Sequence, residues 1–204
     1  MAILLLCVNR KVVMKKRMFI ALDISDTDKI KLAQWREQHL PLPFKAINEK
    51  NFHITLAFLG LIDNEQQLSL AQLINQQHSF IQQYLQPFKA QNQTLFLVLS
   101  KIGYFKTAQV LHLMPTTNPD WLMPLNKLII ALCLNSQIPL ENSVYQPHLS
   151  LFRKAKYPLP SGLTALQQTS VEQQLSITGF SLYHSYSTAL GVCYEPVQTW
   201  KINA

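Results

Sequence analysis

The sequence predicts an α+β fold made of two similar lobes. Strand-like and helix-like segments alternate along its length. A helix together with a strand carrying His-x-Thr/Ser-Leu occurs once in each half. Hydrophobic residues make up 48% of the 204 positions against 14% charged, enough to bury a core and too apolar for a disordered chain. Alternating elements with a repeated motif are most economically read as one compact unit of two related halves.

Taken in order, residues 1–13 stand apart. MAILLLCV is apolar, but no basic segment precedes it and no small-residue cleavage site follows. It is also far shorter than the roughly 20 residues a membrane span needs. These residues read as an N-terminal extension, ordered or not, ahead of a single bilobal domain at 14–204, with Met14 a natural first residue; a signal peptide is the competing reading. Met18–Ile24 is a strand, and Ser25-Asp26 caps a helix from Thr27 to about His39, with Ile30, Ala33 and Leu40 on one side and Pro41 and Pro43 ending it. Asn51–Leu59 is a second strand, ended by Gly60. From Asn64 to about Leu85 the apolar spacing (Leu68, Leu70, Leu73, Ile74, Ile81, Leu85) is helical, as one long helix or a broken pair.

Thr94–Leu99 and Val110–Met114 read as strands joined by a loop holding Lys101, Gly103, Tyr104 and Lys106. Asp120 to about Asn135 is a third helix, strongly apolar on one face. Pro147–Phe152 is a strand, followed by a loop through Gly162 and a short helix or irregular segment at 163–173. Two closing strands, Ser176–Ser187 and Val192–Ile202, flank a turn near Gly191.

The chemistry sits in the two repeated motifs. In Phe52-His53-Ile54-Thr55-Leu56-Ala57-Phe58-Leu59-Gly60, strand alternation puts His53 and Thr55 on one face, with Ile54, Leu56 and Phe58 on the opposite, core-facing side. In Pro147-His148-Leu149-Ser150-Leu151-Phe152-Arg153, His148 and Ser150 share a face in the same way. Each motif offers an imidazole beside a hydroxyl on a rigid element. In-line opening of a cyclic phosphodiester needs a base for the attacking water and an acid for the departing ribose oxygen. Imidazole serves either role near neutral pH. Thr55 and Ser150 can donate to the non-bridging oxygens, and Arg153 adds a charge-assisted contact. This scheme uses no metal, and the sequence offers no carboxylate cluster to hold one.

With these residues in view, the chain resembles the 2H phosphoesterase superfamily and, within it, the RNA 2′,3′-cyclic phosphodiesterases once described as 2′-5′ RNA ligases. The likeness runs from residue 17 to 202. It takes in Arg17-Met18-Phe19-Ile20-Ala21-Leu22, both motifs, the segment around Gly103–Leu113, and the closing Phe180-Ser181-Leu182-Tyr183, Tyr194 and Trp200. The resemblance implies a bilobal fold in which two antiparallel sheets flank a central cleft, helices lie outside, and each lobe lends one motif strand. It implies His53 as proton donor to the leaving 3′-oxygen and His148 as the acceptor that activates water, leaving a 2′-phosphate. Thr55, Ser150 and Arg153 would hold the phosphate, with no cofactor and no metal. In reverse the same site would form a 2′-5′ bond. Two other readings stand beside it: a 2H phosphodiesterase for another cyclic or 2′-5′ nucleotide, and a non-catalytic module that binds RNA ends.

The chain departs from the family pattern in three places. Ser150 stands where threonine is usual. Lys106-Thr107-Ala108-Gln109 and then His112 replace a Pro/Arg pattern followed by tryptophan. Glycine is scarce, with five in the whole chain, which points to altered loops.

A formal net charge of +7 fits acidic partners, here RNA ends or small cyclic nucleotides, without separating them from an anionic membrane surface. No membrane association and no obligate protein partner are implied, and a monomer is expected. Cys7, Cys133 and Cys193 are sparse and unpaired in spacing, which favours a reducing cytoplasm over a disulfide framework; Cys133 and Cys193 read as small buried hydrophobes. His112 reads as a packed strand histidine, with a third cleft residue as the alternative. Phe19 reads as core and Tyr104 is open between core and base stacking. Lys15, Lys16, Arg17, Lys101, Lys106, Lys154 and Lys156 are either a basic rim or a solvated face.

Overall fold

The computed structural model describes residues 14–141, 144–156, 171–189 and 191–202. The extension at 1–13 and the segment at 157–170 lie outside them. Two antiparallel sheets form the frame. The first joins β1 (Lys16–Ile24), β3 (Ile54–Ile62), β4 (Leu95–Leu99), β8 (Gln173–Thr188) and β9 (Gly191–Lys201) in the order β3-β1-β8-β4. The long β8 is its centre: β4 pairs with residues 173–177, and β9 pairs with 179–188. The second sheet runs β2 (Lys45–Ala46), β7 (Leu149–Arg153), β6 (Val110–Met114), β5 (Lys101–Phe105). The fold is thus the bilobal α+β arrangement the motif duplication implies, with one motif in each sheet.

Helix α1 (Asp26–His39) packs on β8, α3 (Leu122–Asn135) on β3, and α2 (Asn64–Leu85) on α3 and β9. Ser25 caps α1 by accepting from the Asp28 amide. Its buried side is Leu32, Ala33 and Arg36, whereas Ile30 is 52% exposed, so the apolar face expected at Ile30 is rotated. Helix α2 is unbroken over 22 residues and starts with a capping box between Asp63 and Gln66.

The largest correction lies between β4 and β6. The expected loop is a strand, β5, which pairs with β6, while β4 belongs to the other sheet. A Lys and a Gly in a five-residue run hide a strand that lies at a sheet edge, where both residues are tolerated. The glycine scarcity has a structural counterpart: Gln93, Gln109, Gln137 and Lys154 take positive φ, between 52° and 61°, where glycine is usual. Cys133 is buried and Cys193 only half-buried, so the second departs from its expected place in the core.

A buried cation ties the lobes together. Arg36 of α1 is 4% exposed and donates to the carbonyls of Ile47 and Leu151. Its guanidinium lies 5.5 Å from the Phe52 ring and 5.6 Å from the Phe152 ring, one from each motif. Carbonyl acceptors and two aromatic faces offset the cost of burying the charge and fix the two motif strands relative to one another.

Candidate active site

Both motif histidines sit one residue ahead of their strands, since β3 begins at Ile54 and β7 at Leu149. Each is fixed in the same way. His53 Nδ1–H donates to the Asn51 carbonyl at 2.6 Å, and His148 Nδ1–H donates to the Gln146 carbonyl at 2.8 Å. An acceptor-only partner assigns the proton to Nδ1 and leaves Nε2 as the free nitrogen. In both cases the carbonyl lies two residues upstream, so the duplication extends to how each ring is held.

A shared irregularity then decides which side chains join the histidines. In the β1–β3 ladder Ala21 pairs with Thr55 and Ile20 with Ala57, so Leu56 has no register partner. In the β6–β7 ladder His112 pairs with Ser150 and Leu111 with Phe152, so Leu151 is passed over. Each bulge falls three residues after its histidine, at the leucine of the motif. A bulge shifts the alternation by one residue. The face carrying His148 and Ser150 therefore continues to Arg153, and the face carrying His53 and Thr55 continues to Phe58. Phe58 is 67% exposed on the cleft instead of meeting the core, which corrects the simple alternation. A second bulge at Leu59, beside Gly60 at φ +68°, carries β3 on to Ile62 beyond the expected end at Gly60.

The displaced carbonyls are satisfied. Asn126 of α3, 6% exposed, donates to Leu56 O at 2.7 Å; Leu151 O accepts from the Ile47 amide at 2.9 Å and from Arg36. An unpaired buried carbonyl would otherwise be costly.

His53, Thr55, His148, Ser150 and Arg153 line one cavity of about 1090 Å³. Tyr194 of β9 bridges the lobes across it. Its hydroxyl accepts from Arg153 Nη2 at 2.6 Å, and its ring stands edge-on to His53 at 5.1 Å. Arg153 Nε is buried and finds no acceptor among the described residues. A buried guanidinium with an unused donor in a positively charged cleft suits an anion. Nothing local in the sequence signals the Tyr194 role, because its partners lie 41 residues away and in the other sheet.

Burial pushes His53 down to about 4, with the charges of His148 and Arg153 adding to the effect against the hydrogen bond to Asn51. Burial also lowers His148. His53 is the weaker base of the two and, once protonated, the stronger acid. A phosphoryl anion between the rings would reverse the sign of the local field and raise both. Among the described residues no group of His, Cys, Asp or Glu is arranged to hold a metal ion.

The remaining candidates divide. His112 is 2% exposed and lies behind His148, not in the cleft: ring centroids are 5.2 Å apart, and Phe105 stacks on His112 at 4.0 Å while touching His148 at 4.8 Å. It is the packed histidine, and burial lowers it to about 4, which keeps it neutral. Phe19, 4% exposed, is packed under His53 at 4.9 Å. Tyr104 is anchored by donating to Ala155 O at 2.6 Å. Of the cations suggested as a rim, Arg17 lines the cavity; Lys127 lines it as well and has no sequence signal.

The model of the AKAP7 2′5′ RNA ligase-like domain matches residues 14–181. The chain belongs to this family. Two curated relatives, both named RNA 2′,3′-cyclic phosphodiesterase, are similar over nearly their whole length. The Escherichia coli K12 protein is 23% identical over 188 residues, covering 92% of this chain and 97% of that protein. The one from Methanocaldococcus jannaschii is 25% identical over 194 residues, covering 90% and 99%. Among solved structures, E. coli LigT complexed with 3′-AMP superposes with a TM-score of 0.70 at 22% identity, over 92% of this chain and 98% of LigT. A structure described as a phosphoesterase gives 0.72 at 22% identity, over 93% and 99%. These likenesses establish the 2′5′ RNA ligase-like fold for the described sheets and helices.

Proposed function

We propose that the protein opens the 2′,3′-cyclic phosphate at an RNA end, leaving a 2′-phosphate and a free 3′-hydroxyl. The observation that carries this reading is the matched pair of imidazoles, each fixed through Nδ1 by a carbonyl two residues upstream and each lining one cleft. His148 Nε2 takes a proton from water as its oxygen bonds to phosphorus. The P–O3′ bond breaks on the far side, and His53 Nε2–H delivers a proton to the departing oxygen. After one turnover His148 carries the proton that His53 has given up, and exchange with solvent resets the pair. Run backwards, the same transfers join a 2′-phosphate end to a hydroxyl.

The acidities suit this division of labour. The stronger acid of the pair, His53, donates, and the stronger base, His148, accepts. The free cleft disfavours a proton on His53, so the substrate phosphate itself must help to place it there. Thr55 and Ser150 donate to the non-bridging oxygens. Arg153 offers Nε, while Tyr194 holds the other end of its guanidinium. The names of the two curated relatives point to the same reaction.

The test is a panel of substrates in excess EDTA: an RNA ending in 2′,3′-cyclic phosphate, ADP-ribose 1″,2″-cyclic phosphate and a 2′-5′ oligoadenylate. The expected outcome is opening of the RNA end with the phosphate left on O2′ and no loss of rate in chelator. Preference for either other substrate would reassign the activity, and binding without turnover would make the protein an RNA-end-binding module. Loss of rate in EDTA would remove the metal-free mechanism.

A further inference from the structure

We infer that the cleft seats a second nucleotide beyond the reacting end, with its base on Phe58 and its phosphate between Arg17 and Lys127, so that the preferred substrate is an oligonucleotide. This deepens the reading above and rests on it.

The bulge at Leu56 gives Phe58 the place in the first lobe that Arg153 holds in the second: five residues after the histidine and turned onto the cleft face. Arg153 is occupied, bonded to Tyr194. Phe58 is 67% exposed, although it sits in a strand whose neighbours Leu56, Ala57 and Leu59 are nearly inaccessible. Leu61, 59% exposed, follows it on the same wall, and the bulge at Leu59 keeps it there. Large apolar side chains re-aimed by irregular strand geometry into a cleft are placed for a ligand, since bulges cost ladder hydrogen bonds and cluster beside binding sites.

This arm lies next to the histidines. The Phe19 ring is 4.9 Å from His53 on one side and 6.4 Å from Phe58 on the other, so Phe58 is two ring contacts from the reacting centre. The charges separate in the same direction. Arg153 lies with the histidines and hydroxyls; Arg17, the register partner of Leu61, and Lys127, next to the Asn126 that bonds the Leu56 carbonyl, line the arm instead. Two cationic seats with an exposed aromatic ring between them match two successive phosphates and a base. A nucleoside 2′,3′-cyclic phosphate has one phosphate and fills only the first seat. The cavity of about 1090 Å³ is at the upper end of the range for small-ligand sites, ample for a dinucleotide. Stacking on a single aromatic side chain tolerates any base, so the arm would select for chain length over sequence.

The test compares a dinucleotide and a mononucleoside, each ending in 2′,3′-cyclic phosphate, on the wild type, Phe58→Ala and Arg17→Gln/Lys127→Gln. Phe58→Ala is expected to cut the preference for the dinucleotide, measured as a ratio of kcat/KM values, by about tenfold. The double charge variant is expected to flatten the salt dependence of that preference. Parallel losses on both substrates would put the terminal base on Phe58 and overturn the proposal, as would an unchanged ratio. If the wild type opens neither substrate, the reading above fails, and calorimetry with the corresponding 3′-phosphate mono- and dinucleotides decides this one. Tighter dinucleotide binding that Phe58→Ala abolishes supports it; equal binding of the two overturns it.

Discussion

Turnover of an RNA 2′,3′-cyclic phosphate falls by roughly 10²–10⁴-fold in His53→Ala and in His148→Ala, the range expected when a positioned acid or base is removed. Neither ring holds up the fold. His53 and His148 precede their strands, and their side-chain hydrogen bonds run to backbone carbonyls only two residues away. The urea midpoints should therefore stay near the wild-type value. Since the two groups act in one concerted displacement, the double variant should lose little more than the worse single one. Activity near the wild-type level in either single variant would remove the two-histidine mechanism, whatever the fold.

The second large effect comes from a position without any reactive group. Gly103 on β5 pairs with His112 on β6, and a Cβ added to Gly103 would lie 2.3 Å from His112 Nε2 and 2.8 Å from Cε1. His112 cannot swing away freely, because it is 2% exposed and held between Phe105 and His148. The strain in Gly103→Ala passes to the ring behind His148. Overpacking of this kind costs about 1–3 kcal/mol of stability, and a catalytic group displaced by about 1 Å loses on the order of 10²-fold in rate. We expect kcat to fall by about that factor, with KM changed far less. His112→Ala removes the obstructing ring, so Gly103→Ala/His112→Ala should be no slower than His112→Ala alone. A wild-type kcat in folded Gly103→Ala, or a double variant slower than His112→Ala, would contradict this route.

These two positions also mark what could be read from the chain. The pairing of His53 with Thr55 and of His148 with Ser150 follows from strand alternation within three residues, so it was legible without a partner strand. The helices, the two-lobed plan and the closing hairpin were legible for the same local reason. What escaped depended on the neighbour. The bulges at Leu56 and Leu151 exist only in the register against β1 and β6, and they turn Phe58 and Arg153 onto the cleft. Strand β5 looked like a loop because its glycine, a poor strand former, is required by a ring on the next strand. Tyr194 meets Arg153 and His53 only once both sheets are in place. Asn126 was one polar residue in an apolar helix until the carbonyl of Leu56 gave it a partner.

The core of the account is that one phosphoryl group sits between the free nitrogens of His53 and His148. A proton NMR pH titration of the histidine ring signals, with and without a nucleoside 2′-phosphate, tests it most directly. In the free protein His53 should titrate at about 4 and His148 below its ordinary value, both held down by burial. With the nucleotide bound, both signals should move together and both titrations should shift upward, while the buried His112 ring stays neutral. A bound nucleotide that perturbs only one of the two rings, or neither, would contradict the account.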